Sequence, residues 1–288
     1  MVDPAESPPA ITPPARTLIG KPIWNGEDLT EAEARRITQA GDAAVVVVAG
    51  AVGTGKTTVI NALYECFQRG PYAGYRFAGS KTLFSLERKC HLQRLASTLT
   101  KAETDRTVHK EGEVRFVHLR LTPPNSSHPR DLLVTDISGE TFRLARNSVE
   151  YAANLTFIRR ANVACLMLDG ARLADNAKRH RAVDEGQGIL RSLLDSGALH
   201  EGSLVLLMVS KDDQLGVDSQ SYIDGVKADF DRRFSARISL KFLQIAARPQ
   251  NNQREFAHNL GLMLDIWMKA PPPITPDQPE EASVPTRA

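Results

Sequence analysis

Three stretches of the chain are almost wholly apolar: 43–49 (AAVVVVA), 163–168 (VACLML) and 203–209 (SLVLLMV). A strand with one wet face alternates apolar and polar residues, so unbroken runs of this length predict strands packed on both faces. Elsewhere the period changes. Over 56–67 the positions Val59, Ile60, Leu63, Tyr64 and Phe67 recur at helical spacing, which predicts a helix with one face on the sheet. Residues 113–121 and 131–136 read as strands joined by TPPNSSHPR, a run of turn formers, and so as an antiparallel hairpin. Strand and helix then alternate: strand 161–169, helix around 174–194, strand 203–209, helix around 219–234, strand 238–245, helix 255–268. This order predicts a three-layer α/β fold, a mostly parallel sheet with one antiparallel hairpin strand and helices on both faces. Further helices are expected over 30–40 and, inside the long connection 70–112, over 82–98.

Composition narrows the class. At 288 residues and 42% hydrophobic, the chain can bury a full core. Its 36 basic and 34 acidic residues leave a net charge of +2, which gives no global reason to bind nucleic acid or a membrane surface, and neither is expected as a partner. The longest apolar run, 43–52, is about half a bilayer span. MVDPAESPPA lacks the basic and apolar regions of a secretion signal. The three cysteines, Cys66, Cys90 and Cys165, lie far apart and suggest neither a disulfide framework nor a zinc site, so a reducing cytoplasm is the expected location. Cys90 and His91 are adjacent rather than at ligand spacing, and both read as structural. Proline-rich ends, 1–16 and 269–288, are expected to be disordered tails around a leading segment, 17–42, and a domain over 43–268.

The candidate chemistry falls just after strands, where ligands of parallel α/β sheets bind. GAVGTGKT, residues 50–57, fits G-x-x-x-x-G-K-[ST] between a predicted strand and helix. Gly50, Gly53 and Gly55 let backbone N–H groups turn inward around a phosphate, and the helix adds its positive end. Lys56 is placed to reach the β- and γ-phosphates and Thr57 to put its hydroxyl on Mg2+, with Thr54 and Thr58 completing the phosphate-binding set. A purely structural glycine loop has no reason to carry Lys and Thr after its last glycine. DISGE, 136–140, supplies D-x-x-G: Asp136 as a second Mg2+ contact and the Gly139 N–H toward the γ-phosphate, against the plainer reading of a turn. SKDD, 210–213, is close to [NT]-K-x-D, with Lys211 along a purine and Asp213 accepting from guanine N1–H and N2–H2. Adenine offers no such pair of donors, so GTP and GDP are the expected ligands. Ser210 departs from the usual Asn or Thr. In IAAR, 245–248, the Ala247 N–H is the candidate contact to the base oxygen.

Together GAVGTGKT, DISGE, SKDD and IAAR resemble the TRAFAC, Ras-like class of P-loop GTPases over residues 43–268. LYECFQRGPYAGYRFAGSKTLFSLERKCH and LLVTDISGETF are similar to the bacterial double-GTPase family of conflict-system gene clusters. The resemblance implies a Ras-like GTPase domain that hydrolyses GTP to GDP and phosphate with Mg2+, as a switch in a multi-protein system with a protein effector or activating partner. It also implies a switch threonine within 70–112 as a metal contact, with Thr107 first and Thr82, Thr100 and Thr104 behind it. Lys56 and Glu140 are the catalytic candidates. Glu140 stands where many GTPases carry a water-orienting Gln, and its charge, together with Val52 at the γ-phosphate end of the loop, suggests slow or partner-activated turnover. Arg76, Arg88, Arg106, Arg143 and Arg146 lie in the switch regions and default to solvated charges, as does KRHR, 178–181. Tyr72, Tyr75, Phe77 and Phe84 read as a small core under the insertion. Two other readings stand beside this one: an ATPase using Asp169 as a Walker B carboxylate, and a nucleotide-bound scaffold that does not hydrolyse.

Overall fold

The computed structural model describes residues 24–98, 113–216, 219–251 and 253–274. Its centre is β1 (Ala43–Gly50), flanked in parallel by β4 (Arg130–Asp136) and β5 (Val163–Asp169). Beyond β5 lie β6 (Leu204–Ser210) and β7 (Ser239–Gln244), both parallel. Beyond β4 lie β3 (Arg115–Thr122), antiparallel to it, and β2 (Arg76–Gly79), antiparallel to β3. The order β2-β3-β4-β1-β5-β6-β7 is the expected mostly parallel Ras-like sheet with its hairpin. The edge strand β2 is an addition from the 70–112 connection, which the sequence pattern alone does not announce.

Alternate residues of β1 feed two cores. Val45, Val47 and Ala49 join the layer that includes α4 (Gly139–Asn147), α7 (Arg179–Asp195) and α8 (Gln220–Phe234). Ala44, Val46 and Val48 join the layer of α2 (Lys56–Gln68) and α9 (Leu260–Met268). Both faces are buried, which is why the strand shows no polar alternation. Ile60 and Leu63 of α2 are at most 1% exposed, and burying each contributes roughly 1.5–3 kcal/mol. The fully buried Trp267 of α9 donates its indole N–H to Cys165 Sγ of β5 at 3.1 Å, fixing the last helix to the sheet.

From residue 24 onward the leading segment is docked. Leu29 pairs with Phe116 of β3, and α1 (Glu31–Ala40) begins with a capping box in which Thr30 Oγ1 accepts from the Glu33 N–H while Glu33 accepts from the Thr30 N–H. Ala34 and Ile37 turn into the core.

Two helix expectations need correction, and two further α-helices were not expected. The helix expected over 174–194 is two, α6 (Gly170–Ala174) and α7. The break falls at Asp175, whose carboxylate accepts from the Ala177 N–H and pairs with Lys178, a local bond that competes with helix. The helix expected from 255 starts at Leu260, because Ala257 and Asn259 are left-handed, with φ of 61° and 60°, and Ala246 pairs with His258. After DISGE the chain forms α4 and α5 (Val149–Ala153), which the sequence reading does not include. Within the insertion, α3 (Leu83–Thr98) lies where a helix is expected.

Candidate functional site

The loop from β1 to α2 turns through left-handed Gly53 and Gly55, at φ of 82° and 90°, and α2 starts with no side chain capping its first N–H groups. Such an end favours an anion. Lys56 folds back along the loop, donating from Nζ to the Gly50 and Ala51 carbonyls at 2.9 and 3.0 Å. It is 8% exposed. Burial pushes the Lys56 ammonium down to about 8, with Asp136 pulling partly back. The loop thus holds a desolvated cation whose hydrogen-bond partners are neutral carbonyls. Thr54 is buried and donates to the Ala51 carbonyl at 3.0 Å, while Thr58 is half-buried on the first turn of α2.

Asp136, at the end of β4, is 1% exposed. Its Oδ1 accepts from the Thr57 hydroxyl at 3.1 Å and its Oδ2 from Lys89 Nζ of α3 at 2.6 Å. The same ammonium lies 2.6 Å from Asp28 Oδ2. Burial opposes the charge on Lys89, yet Asp136 and Asp28 together outweigh it and hold the ammonium above the usual lysine range. A hydroxyl and a buried carboxylate side by side are hard oxygen donors of the kind Mg2+ takes. Among the described residues no group of three or more His, Cys, Asp or Glu is placed to hold a metal by itself. That donor set fits Mg2+ completing its shell with phosphate oxygens and water.

Gly139 lies against the glycine loop: a Cβ there would sit 2.5 Å from Val52 N and 2.7 Å from Ala51 C. Only glycine lets the turn after β4 approach so closely. Glu140 is about half exposed and paired with Arg143 at the surface. Val52, whose backbone N lies against Gly139, is 46% exposed. Thr82 is buried and exchanges hydrogen bonds with the backbone of His118, which commits it to anchoring the insertion. Thr100, Thr104, Thr107 and Arg106 lie outside the described residues, as do 1–16 and 275–288 of the expected tails; the start of the second tail, 269–274, is instead ordered against the fold, with Ala270 buried and the Pro271 carbonyl accepting from Asn162 Nδ2 at 2.9 Å.

At the other end, Ser210 Oγ donates to the Leu168 carbonyl at 3.1 Å. Lys211, left-handed at φ 54°, reaches Asp169 Oδ2 at 2.8 Å. Asp213 is 2% exposed; its Oδ2 accepts from the Gln250 N–H at 2.8 Å, and its carbonyl accepts from Asn251 Nδ2 at 2.6 Å. Buried Asp212 accepts from Gln244 at 3.0 Å and from Arg254, tying the turn after β6 to the loop after β7. Ala247 sits in that loop, 9% exposed, its carbonyl accepting from the Ala257 N–H. Lys211, Asp213 and Ala247 thus come from two loops that Asp212 and Asp213 join.

Asp169 is occupied differently from a Walker B carboxylate. It accepts from the Ala171 N–H at 3.0 Å as the cap of α6 and from Lys211. The acidic residue that often follows such an aspartate has no room here, since a Cβ on Gly170 would lie 2.1 Å from the Ser210 carbonyl oxygen.

Sequence reasoning missed Lys89 and Asp28. They meet across 61 residues, and Lys89 meets Asp136 across 47, so no local spacing announces them. Of the insertion aromatics, Tyr75 is buried with its hydroxyl donating to Asp265, and Tyr64, Phe67, Tyr72 and Phe77 contact one another, whereas Phe84 is 59% exposed. In KRHR, Arg179 lies over the Tyr222 ring at 4.4 Å and Arg181 pairs with Glu185.

A family profile described as Double-GTPase 2 matches residues 44–268. No match is found among curated protein sequences. Among solved structures, the chain is 14% identical to a bacterial selenocysteine-specific elongation factor EF-Sec, at a TM-score of 0.38, covering 71% of this chain and 26% of that one. It is 15% identical to a chain of the signal recognition particle receptor SRb-GTP/SRX complex from Chaetomium thermophilum, at a TM-score of 0.44, covering 77% and 96%. The elongation factor SelB from Methanococcus maripaludis, in complex with the GTP analogue GppNHp, is 12% identical at 0.35, covering 71% and 30%. The chain therefore spans about a quarter of the length of the first of these.

Proposed function

The chain belongs to the Double-GTPase 2 family and is a P-loop GTPase, and on that premise we propose that it uses Mg2+-dependent hydrolysis of GTP as a conformational switch toward a protein partner. The observation that carries this reading is the meeting of Thr57 and Asp136 at 3.1 Å beside the buried Lys56. When bound, Mg2+ neutralises charge on the β- and γ-phosphate oxygens. Lys56 exchanges its carbonyl partners for phosphate oxygens, regaining the compensation that burial denies it. The N–H groups of the loop and of α2 hold the β-phosphate, and Gly139 presents its N–H to the γ-phosphate. Lys211 lies along the purine, Asp213 accepts from guanine and the Ala247 N–H meets the base oxygen. Glu140 stands where many GTPases carry a water-orienting Gln and is engaged with Arg143, which supports slow turnover that a partner accelerates.

Titration calorimetry of wild-type and Asp213→Ala protein with GDP, GTP, ADP and ATP in Mg2+ tests the reading. Two charge-assisted hydrogen bonds, each about 1.5–3 kcal/mol, predict that the guanine preference falls at least on the order of a hundredfold in the variant. Equal wild-type affinity for guanine and adenine nucleotides would refute it.

A further inference from the structure

Lys89 reaches the phosphate site from the insertion, on a helix whose contacts make it more than a surface ion pair. Its side chain is 14% exposed, and the Asp136 carboxylate that it touches is 1% exposed. Around it, residues 26–28 and the first turns of α3 are joined. The Ser85 N–H donates to the Gly26 carbonyl at 2.9 Å and the Ser85 hydroxyl to Asp28 at 2.6 Å, while Arg88 grips both oxygens of Glu27 at 2.8 Å. The leading segment and α3 therefore meet the site through one ammonium.

We propose that Lys89 and a divalent cation compete for Asp136, so that holding Mg2+ with nucleotide requires α3 to give up its contact with the phosphate site. The inference rests on reading residues 50–57 and 136–139 as a Mg2+·nucleotide site. One Asp136 oxygen takes the Thr57 hydroxyl and the other takes Lys89, so both oxygens of the expected metal ligand are already engaged. A divalent cation held by that carboxylate, directly or through water, would face a buried ammonium across it. Like charges in a pocket shielded from water repel strongly. Asp28 supplies the release path: because it already holds Lys89 at 2.6 Å, the ammonium can leave Asp136 and remain paired. The movement then passes to α3 and to its exposed Leu83 and Phe84, a surface a partner can read.

The plainer account is a structural clasp that fastens α3 to β4 and takes no part in cation binding. Titrating Mg2+ into the GDP complexes of wild-type and Lys89→Met protein, after measuring GDP binding in EDTA, separates the two. If the Lys89–Asp136 contact is nine-tenths populated, it lowers apparent Mg2+ affinity about tenfold, so Lys89→Met should bind Mg2+ about tenfold more tightly. Unchanged or weaker Mg2+ affinity in the variant overturns the proposal. Absence of GDP binding to wild-type protein in both EDTA and Mg2+ would sink the nucleotide-site reading instead, and this inference with it. Should Lys89→Met not fold, wild-type hydrogen exchange decides: amides of 26–30 and 83–90 should exchange faster when Mg2+ is added to the GDP complex, and unchanged protection refutes the idea.

Discussion

At the phosphate end of the site Lys56 is buried with two neutral carbonyls as hydrogen-bond partners, whereas at the base end Lys211 has a carboxylate of its own, Asp169 at 2.8 Å. The contrast extends to the acids. Asp136 is shared between a hydroxyl and an ammonium brought in from an insertion, while Asp212 and Asp213 are bonded into the loop after β7. One end holds charge short of compensation, and an anion with its metal would supply what is missing. The other is tied together by its own hydrogen bonds, with Asp213 2% exposed and one of its carboxylate oxygens taken by the Gln250 N–H. The switch proposed above would use both: a tied-down end to identify the nucleotide and a responsive end to report its phosphates.

The sharpest way to break the comparison is Lys56→Met. If the desolvated ammonium is the centre of the phosphate end, GTP turnover measured by phosphate release should fall on the order of 10²–10³-fold. Retention of wild-type turnover would move the chemistry elsewhere. The base end is probed by Gly170→Ala, which forces a Cβ to within 2.1 Å of the Ser210 carbonyl oxygen unless the backbone moves. Overpacking of this kind costs about 1–3 kcal/mol, so thermal denaturation should show a lowered Tm. The guanine preference should weaken with it if preassembly of SKDD matters.

A smaller effect comes from pH. Free Lys56 titrates near 8, below its ordinary 10.5, and a bound anion favours the ammonium. Binding above pH 8 therefore takes up a proton, and GDP affinity should fall about tenfold between pH 7 and pH 9. Calorimetry in buffers of different ionisation enthalpy would register the uptake, and Lys56→Met should remove the slope. The smallest change is expected from Thr30→Ala, which removes the cap of α1 at a cost of about 1 kcal/mol. For a domain of this size that lowers Tm by about 2–4 °C. A larger loss would mean that the docked leading segment carries more of the fold than its cap.

Legibility in the sequence followed the range of the interaction. β1, β5 and β6 were readable because strands buried on both faces must be apolar throughout, and α2 because its buried face recurs every three to four residues. The helix expected over 30–40 is α1, whose capping box of Thr30 and Glu33 closes within four residues. What escaped was decided by partners distant in the chain. β2 is a strand because Arg76 and Phe77 find Thr122 and Leu121 across the sheet. The late start of α9 goes with the pairing of Ala246 with His258 and the left-handed Ala257 and Asn259. The ATPase alternative rested on Asp169 at the end of an apolar strand, and the fold gives that carboxylate to α6 and Lys211.

For the site itself, sequence alone determined the identity and order of the groups along the chain: the glycine loop with Lys56 and Thr57, then Asp136 and Gly139, then Lys211 and Asp213, each just after a strand. Those are properties of local spacing, fixed because a phosphate loop and a strand-end turn need particular residues within a few positions of one another. Tertiary structure alone decided their electrostatic state. Desolvation and pairing depend on what packs around a group, and it was the fold that buried Lys56 among carbonyls, gave Asp169 to Lys211 and carried Lys89 across 47 residues to Asp136.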